Sequence, residues 1–145
     1  MKLFVLDTDI LSLWQHGHAN VGAHVAAHSQ DELAITVITV QEQLDGWHLR
    51  LTRAKSRKQT ADLYKRLADT VRFLSRIRIL DYTEAAIERY DELRSQKLNV
   101  GKTDLRIAAI VLDHDACLVT RNTRDFGRIV SLGIEDWSVQ AATER

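Results

Sequence analysis

Short apolar runs recur along this chain with helix-patterned stretches between them, and that alternation restricts the fold more than any other feature. Leu3-Phe4-Val5-Leu6 is apolar without interruption, as a strand covered on both faces must be. Leu33-Ala34-Ile35-Thr36-Val37-Ile38, Ile77-Arg78-Ile79-Leu80 and Ala116-Cys117-Leu118-Val119-Thr120 read as further strands, and Ile134 to Trp137 as a short edge strand. Thr8 or Asp9 can cap a helix carrying Ile10, Leu11, Leu13 and Trp14. Thr39 followed by Glu42 has the spacing of a capping box. From about Glu42 to Ser75 the pattern is helical, with Leu63, Tyr64, Leu67, Val71 and Leu74 at three- and four-residue spacing. Thr83 opens a helix with Ile87, Tyr90, Leu93 and Leu98 on one side, and another runs from about Thr103 to His114. Strands and helices alternating in this way predict βαβ units and a mainly parallel sheet with helices on both faces.

The sequence has no proline and only six glycines in 145 residues, so nothing in it reads as a flexible linker, and one domain spanning residues 1–145 is expected. Its single cysteine, Cys117, can form no internal disulfide and reads as a buried apolar thiol. No basic-then-apolar leader opens the sequence, and no apolar run approaches the roughly 18–20 residues of a membrane span. The expected location is the cytoplasm, without membrane contact.

In a parallel sheet, ligands bind at the carboxyl ends of the strands, where the strand order reverses. Asp7 and Asp9 follow the first strand, Glu42 lies just beyond the second, and Asn122 and Asp125 follow the fourth. Asp104, at a helix start after Gly101-Lys102-Thr103, can lean over the same rim. Carboxylates brought within a few ångströms raise one another's pKa, and a divalent cation relieves that repulsion. Oxygen-only ligands favour Mg²⁺ or Mn²⁺ over Zn²⁺. Taken singly, each acid has a plainer reading: Asp7-Thr8-Asp9 as a helix cap, Glu42 as a capping-box residue, Asp104 as a first-turn acid and Asp125 as a turn residue. Their common placement at one sheet edge is what points to a site.

Four segments in sequence, Val5-Leu6-Asp7-Thr8-Asp9-Ile10-Leu11-Ser12, Val40-Gln41-Glu42-Gln43-Leu44-Asp45-Gly46, Lys102-Thr103-Asp104-Leu105-Arg106-Ile107-Ala108-Ala109 and Leu118-Val119-Thr120-Arg121-Asn122-Thr123-Arg124-Asp125-Phe126, followed by a tail of Leu132-Gly133-Ile134 and Trp137, resemble the PIN-domain ribonucleases. Within them the similarity is to VapC-type toxins of bacterial toxin–antitoxin pairs. The resemblance implies a three-layer α/β/α sandwich around a central, mainly parallel sheet of four to five strands, and an endoribonuclease dependent on Mg²⁺ or Mn²⁺. It assigns Asp7, Glu42, Asp104 and Asp125 as catalytic and metal-binding residues, with Asn122 sharing the fourth position, and Thr8, Asp9, Asn122 and Thr120 as supporting polar groups. It also implies close packing at Gly46, an RNA substrate such as tRNA or rRNA, products with 5′-phosphate and 3′-hydroxyl ends, a cognate antitoxin, and a homodimer or toxin–antitoxin hetero-oligomer. A cation held by such acids lowers the pKa of water and neutralises charge on phosphate oxygens.

Basic and acidic residues balance at 20 each, but unevenly along the chain. Arg50 to Arg78 holds ten basic residues and two acids. A run of this kind can be no more than a solvated helix face. Beside an acidic pocket, Arg50, Arg53, Lys55, Arg57, Lys58, Lys65 and Arg66 instead suggest an RNA- or partner-facing track, because cations supply the phosphate affinity that carboxylates oppose. Tyr64 and Phe73 within it read as core rather than as stacking platforms. The six histidines have no metal-site spacing and read as surface or packing residues.

Rival readings are weaker. Asp7-Thr8-Asp9 after a strand is similar to the first motif of haloacid-dehalogenase phosphatases, in which Asp7 would be the nucleophile, but the usual Gly and Thr continuation and the late acid pair are missing. Neither G-x-x-x-x-G-K nor G-x-G-x-x-G occurs, which excludes the common nucleotide-phosphate loops. A housekeeping RNA-processing nuclease and an inactive binding module with the same fold remain as alternatives to a toxin.

Overall fold

The computed structural model describes residues 2–140, so the expected domain limits at residues 1 and 145 lie outside the described residues. Five strands, β1 (Phe4–Leu6), β2 (Leu33–Thr36), β3 (Arg78–Leu80), β4 (Cys117–Val119) and β5 (Gly133–Glu135), form one sheet in the order β3-β2-β1-β4-β5. Every pairing is parallel, with Phe4 beside both Leu33 and Cys117 and Val5 beside both Ala34 and Leu118. β1 to β4 are each shorter than the strand runs read from the sequence, because flanking residues leave the ladder to begin helices or turns, and β5 falls at Gly133–Glu135 rather than at the expected Ile134 to Trp137.

Among the described residues seven α-helices cover the sheet: α1 (Thr8–Gln15), α2 (Ala19–Ala26), α3 (Val37–Thr52), α4 (Arg57–Leu74), α5 (Glu84–Ser95), α6 (Lys102–Asp113) and α7 (Thr123–Phe126). Alternate strand residues divide the core in two. Phe4, Leu6, Leu33, Ile35, Cys117 and Val119 pack with Ile10 and Leu11 of α1 and with Trp137. Val5, Ala34 and Leu118 pack on the other face with Tyr90 of α5, Ile107 and Ile110 of α6, and Phe126. The result is the expected α/β/α sandwich. Among the described residues no helix is long and apolar enough to cross a membrane.

The structure corrects several local expectations. Asp7 itself, not Thr8 or Asp9, caps α1, its carboxylate accepting from the Ile10 N–H at 2.8 Å. Thr36, not Thr39, caps α3, so the capping-box spacing at Thr39 and Glu42 falls inside the helix. The long helical stretch breaks between Arg53 and Ser56 without glycine or proline. Ser56 accepts from the Gln59 N–H at 3.0 Å, and the Gln59 amide oxygen accepts from the Lys55 N–H at 2.9 Å, so side chains satisfy the new helix start. Tyr64 is exposed, because α4 buries Leu63, Thr70 and Leu74 and its neighbour lies a third of a turn away. Val71 and Ile87 are also exposed, and Leu98 lies past the end of α5.

Thr83 caps α5 as expected, and Cys117 is buried. Two of the histidines serve packing, His24 and His28 both stacking on Trp137 with ring centroids 5.4 and 4.6 Å away, whereas His16, His48 and His114 are exposed and His18 caps α2.

Candidate functional site

The chain runs from β1 outward through β2 to β3, then returns to lay β4 against the other side of β1. The strand order therefore reverses between β1 and β4, and the crevice beyond their carboxyl ends is where such a sheet binds ligands. Asp7 stands at the end of β1, and Thr120 and Asn122 stand at the end of β4. A cleft of about 520 Å³ opens there, lined by Asp7, Glu42, Asp104, Asn122, Asp9 and Arg121, among others. Three acids from β1, α3 and α6 thus meet at one opening.

Asp7 is buried, which raises its carboxyl to about 6. The Asp9 and Asp104 charges push the same way, while hydrogen bonds from the Thr120 hydroxyl and the Ile10 N–H oppose the rise. Thr120, fully buried, also accepts from the Asn122 N–H at 3.0 Å and so ties the β4 loop to Asp7. Asp104 occupies the first turn of α6, whose Gly101 start supplies no side-chain cap. Partial burial raises its carboxyl, and the charges of Glu42 and Asp125 raise it further. Glu42 is solvent-exposed and accepts from the Thr8 hydroxyl at 2.6 Å, with the Thr39 hydroxyl 3.1 Å from the same Thr8 oxygen.

Asn122 lines the cleft and caps α7, accepting from the Asp125 N–H at 3.3 Å. Asp125 sits one step back. Its carboxylate accepts from the Asn122 amide at 3.1 Å and pairs with Arg128 at 3.1 Å, while its charge reaches Asp104. Asp9 is held by both guanidinium arms of Arg121, at 2.6 and 2.9 Å.

The donor set suits a hard divalent cation. It consists of carboxylates, one of them buried, in which the Asp104 charge raises the Asp7 pKa and the Glu42 charge raises that of Asp104. Among the described residues no three acid, imidazole or thiol groups already stand together as a finished ligand set, so the fit is one of chemistry and placement.

The basic residues divide. Arg50 and Arg66 line a second cleft, of about 640 Å³, which shares Thr8, Ser12 and Glu42 with the first. Arg53, Lys55, Arg57, Lys58 and Lys65 surround the α3–α4 connection or continue along α4 and line neither. Arg66 pairs with Asp62 at 3.2 Å. Gly46 faces open space, with nothing within 4 Å of the point where a methyl group would stand, so it does not permit the close packing that the resemblance implied.

Two residues that line these clefts carry no clear signal in the sequence. Arg121 directly follows the fourth strand run, a cation inside an acidic motif. Trp47 lies four residues after Gln43 and three before Arg50, on the same helical face.

Residues 4–131 match the family model described as PIN domain. The tRNA(fMet)-specific endonuclease VapC of Shigella flexneri is 30% identical over 143 residues, covering 95% of this chain and 100% of that protein. Ribonuclease VapC2 of Rickettsia felis is 39% identical over 69 residues, 45% of this chain and 52% of that protein, so this match spans about half of that relative. The crystal structure of DNA-bound VapBC from Salmonella typhimurium has a chain that superposes with a TM-score of 0.76 at 27% identity, covering 94% of this chain and 99% of that one. With the carboxylates of β1, α3 and α6 gathered at the switch point and this similarity running through nearly its whole length, the chain belongs to the PIN-domain family, as a VapC-type member.

Proposed function

We propose that this chain is an endoribonuclease that hydrolyses RNA phosphodiester bonds with Mg²⁺ (or Mn²⁺), and that it is the toxin of a toxin–antitoxin pair. PIN-domain nucleases in general use a divalent metal. The observation that carries the reading is the convergence of Asp7, Glu42 and Asp104 on one cleft at the β1/β4 switch point. In this proposal these three residues hold the metal, and Asp125 acts at the fourth position through Asn122. When bound there, the cation supplies Lewis acidity toward the phosphate and lowers the pKa of water.

The protein's own groups do the positioning. The Thr8 hydroxyl aims the Glu42 carboxylate, and the Thr120 hydroxyl keeps one Asp7 oxygen oriented. Arg121, anchored by Asp9, places a guanidinium at the cleft mouth where phosphate charge must be countered. In-line attack of water on phosphorus breaks the P–O3′ bond and leaves 5′-phosphate and 3′-hydroxyl ends.

The relatives support a structured RNA such as a tRNA as substrate, since one of them is named a tRNA(fMet)-specific endonuclease. A protein antitoxin as partner is supported by the VapBC complex among the similar structures. The proposal is completed by a single domain across residues 1–145, action in the cytoplasm, and assembly as a homodimer or with the antitoxin.

The test is cleavage of total tRNA by purified chain with Mg²⁺, with EDTA, and with Asp7→Asn or Asp104→Asn. Cleavage that requires the metal and vanishes in both variants, with circular dichroism unchanged, is expected. Retained metal-dependent cleavage by both variants overturns the site. Growth arrest on expression, relieved by the protein encoded next to this chain, is expected for a toxin and not for a housekeeping nuclease.

A further inference from the structure

The 640 Å³ cleft between α1, α3 and α4 is not needed to hold a metal, yet it opens directly into the acidic cleft through Thr8, Ser12 and Glu42. Its size is that of a site for a small organic group. Trp47 lines it half-exposed and belongs to neither hydrophobic cluster, unlike Trp14 and Phe73, which meet edge to face across the cleft at 5.0 Å and pack against the core. The Arg50 guanidinium lies 4.9 Å from the Trp47 ring centroid. Gly46, beside Trp47, leaves open space where a side chain would stand, although glycine in mid-helix is unfavourable. Gln43 and Gln15, bonded to each other at 3.3 Å, present amide groups in the same cleft.

An aromatic face kept out of the core, a guanidinium stacked on it, a second arginine (Arg66, whose pairing with Asp62 is solvent-exposed and leaves its other guanidinium nitrogens to donate) and amide edges are the elements with which proteins hold single-stranded nucleic acid. The cleft also continues into the place where the scissile phosphate must lie. We propose that it receives an unpaired RNA nucleotide flanking the cut bond, its base stacked on Trp47 and its phosphate met by Arg50 and Arg66. Trp47 and Arg50 are then specificity-determining residues, and the cleavable site is one that can splay a base out of a helix. This inference rests on the ribonuclease reading. A peptide segment of a protein partner is the competing occupant.

The experiment uses the full-length chain carrying Asp7→Asn, in EDTA, with fluorescein-labelled single-stranded RNA followed by anisotropy. Trp47→Ala is expected to weaken binding roughly 10- to 100-fold, the range for losing one base stack, and Trp47→Phe to restore most of it. Arg50→Gln is expected to lower the slope of log affinity against log salt by about one. Thermal midpoints report whether each variant folds. Unchanged affinity in both Trp47→Ala and Arg50→Gln overturns the inference, as does loss of partner-protein binding with RNA affinity intact. In both of those cases the parent chain still cuts RNA, whereas a parent that neither binds nor cuts RNA removes the ribonuclease reading itself.

Discussion

Arg121 grips Asp9 through two guanidinium nitrogens, at 2.6 and 2.9 Å, across 112 positions of sequence. The pair joins the loop after β4 to the first turn of α1 over the mouth of the acidic cleft. Both side chains are half-exposed at 49%, so screening by water makes the contact weak as a source of stability. Its consequence is geometric: a cation is held beside acids that would otherwise repel a phosphate.

Arg121→Gln is therefore expected to leave the thermal midpoint essentially unchanged while reducing cleavage roughly 10- to 100-fold, below the loss caused by removing a dedicated oxyanion donor. Asp9→Asn, which frees the guanidinium but keeps it, should cost less. Cleavage rates for both single variants and the double variant check this, and equal rates in all of them contradict it.

Asp7 makes stability depend on pH. Its folded carboxyl titrates at about 6, against 3.8 for the ordinary value, so the folded state binds this proton more tightly than the unfolded chain does. The associated stability is fully present below pH 3.8 and is lost as pH rises through about 6. In metal-free protein at neutral pH, Asp7→Asn removes this strain and keeps a good helix cap. It should stabilise the fold by up to roughly 3 kcal/mol above pH 6, with the gain vanishing toward pH 4. Thermal midpoints of both proteins across that window, in EDTA, decide the point, and parallel curves would contradict it.

Much of this architecture is legible in the sequence, and the misses share a cause. β1 and β4 stand out as uninterrupted apolar runs because both lie in the sheet interior, covered on two faces. The acids at their ends follow from the same reading. Thr39 resembles a cap because local spacing cannot tell a helix start from a second turn, and only the end of β2 at Thr36 fixes it. Tyr64 reads as buried because its spacing to Leu67 and Val71 is helical, yet the face that α4 presents to the core is set by Leu63, Thr70 and Leu74. The Asp9–Arg121 pair and the open face at Gly46 depend on how distant segments are brought together, which periodicity does not encode.

Thr8 offers a separate test of how the acids are aimed. Thr8→Val removes the 2.6 Å hydrogen bond to Glu42 while preserving side-chain shape. Divalent-metal affinity by calorimetry should fall roughly 10- to 100-fold, as for other groups that orient a ligand from behind. An unchanged affinity would mean that Glu42 needs no such support.

Metal binding itself should raise stability by about 2.7 kcal/mol at a free concentration 100 times Kd. Because the Asp7 proton must leave, binding near pH 6 is expected to release protons, which calorimetry in buffers of different ionisation enthalpy detects. Binding without proton release at that pH would place the ion away from Asp7.

Cys117 lies 3% exposed in β4, and burial together with the neighbouring Glu135 carboxylate raises its thiol to about 11. It should resist iodoacetamide in the native state and react only on unfolding, so its labelling rate reports opening of the central sheet.

The strand order has a consequence for the timing of synthesis. β1 leaves the ribosome first, but β4, its neighbour on the side where the strand order reverses, is not made until residues 117–119, and Thr120, whose hydroxyl orients Asp7, comes just after it. A nascent chain that ends between residues 104 and 117 carries Asp7, Glu42 and Asp104 but lacks the strand that brings the two sides of the crevice together. For the ribonuclease proposed above, the cleft is therefore expected to stay incomplete until β4 is laid against β1.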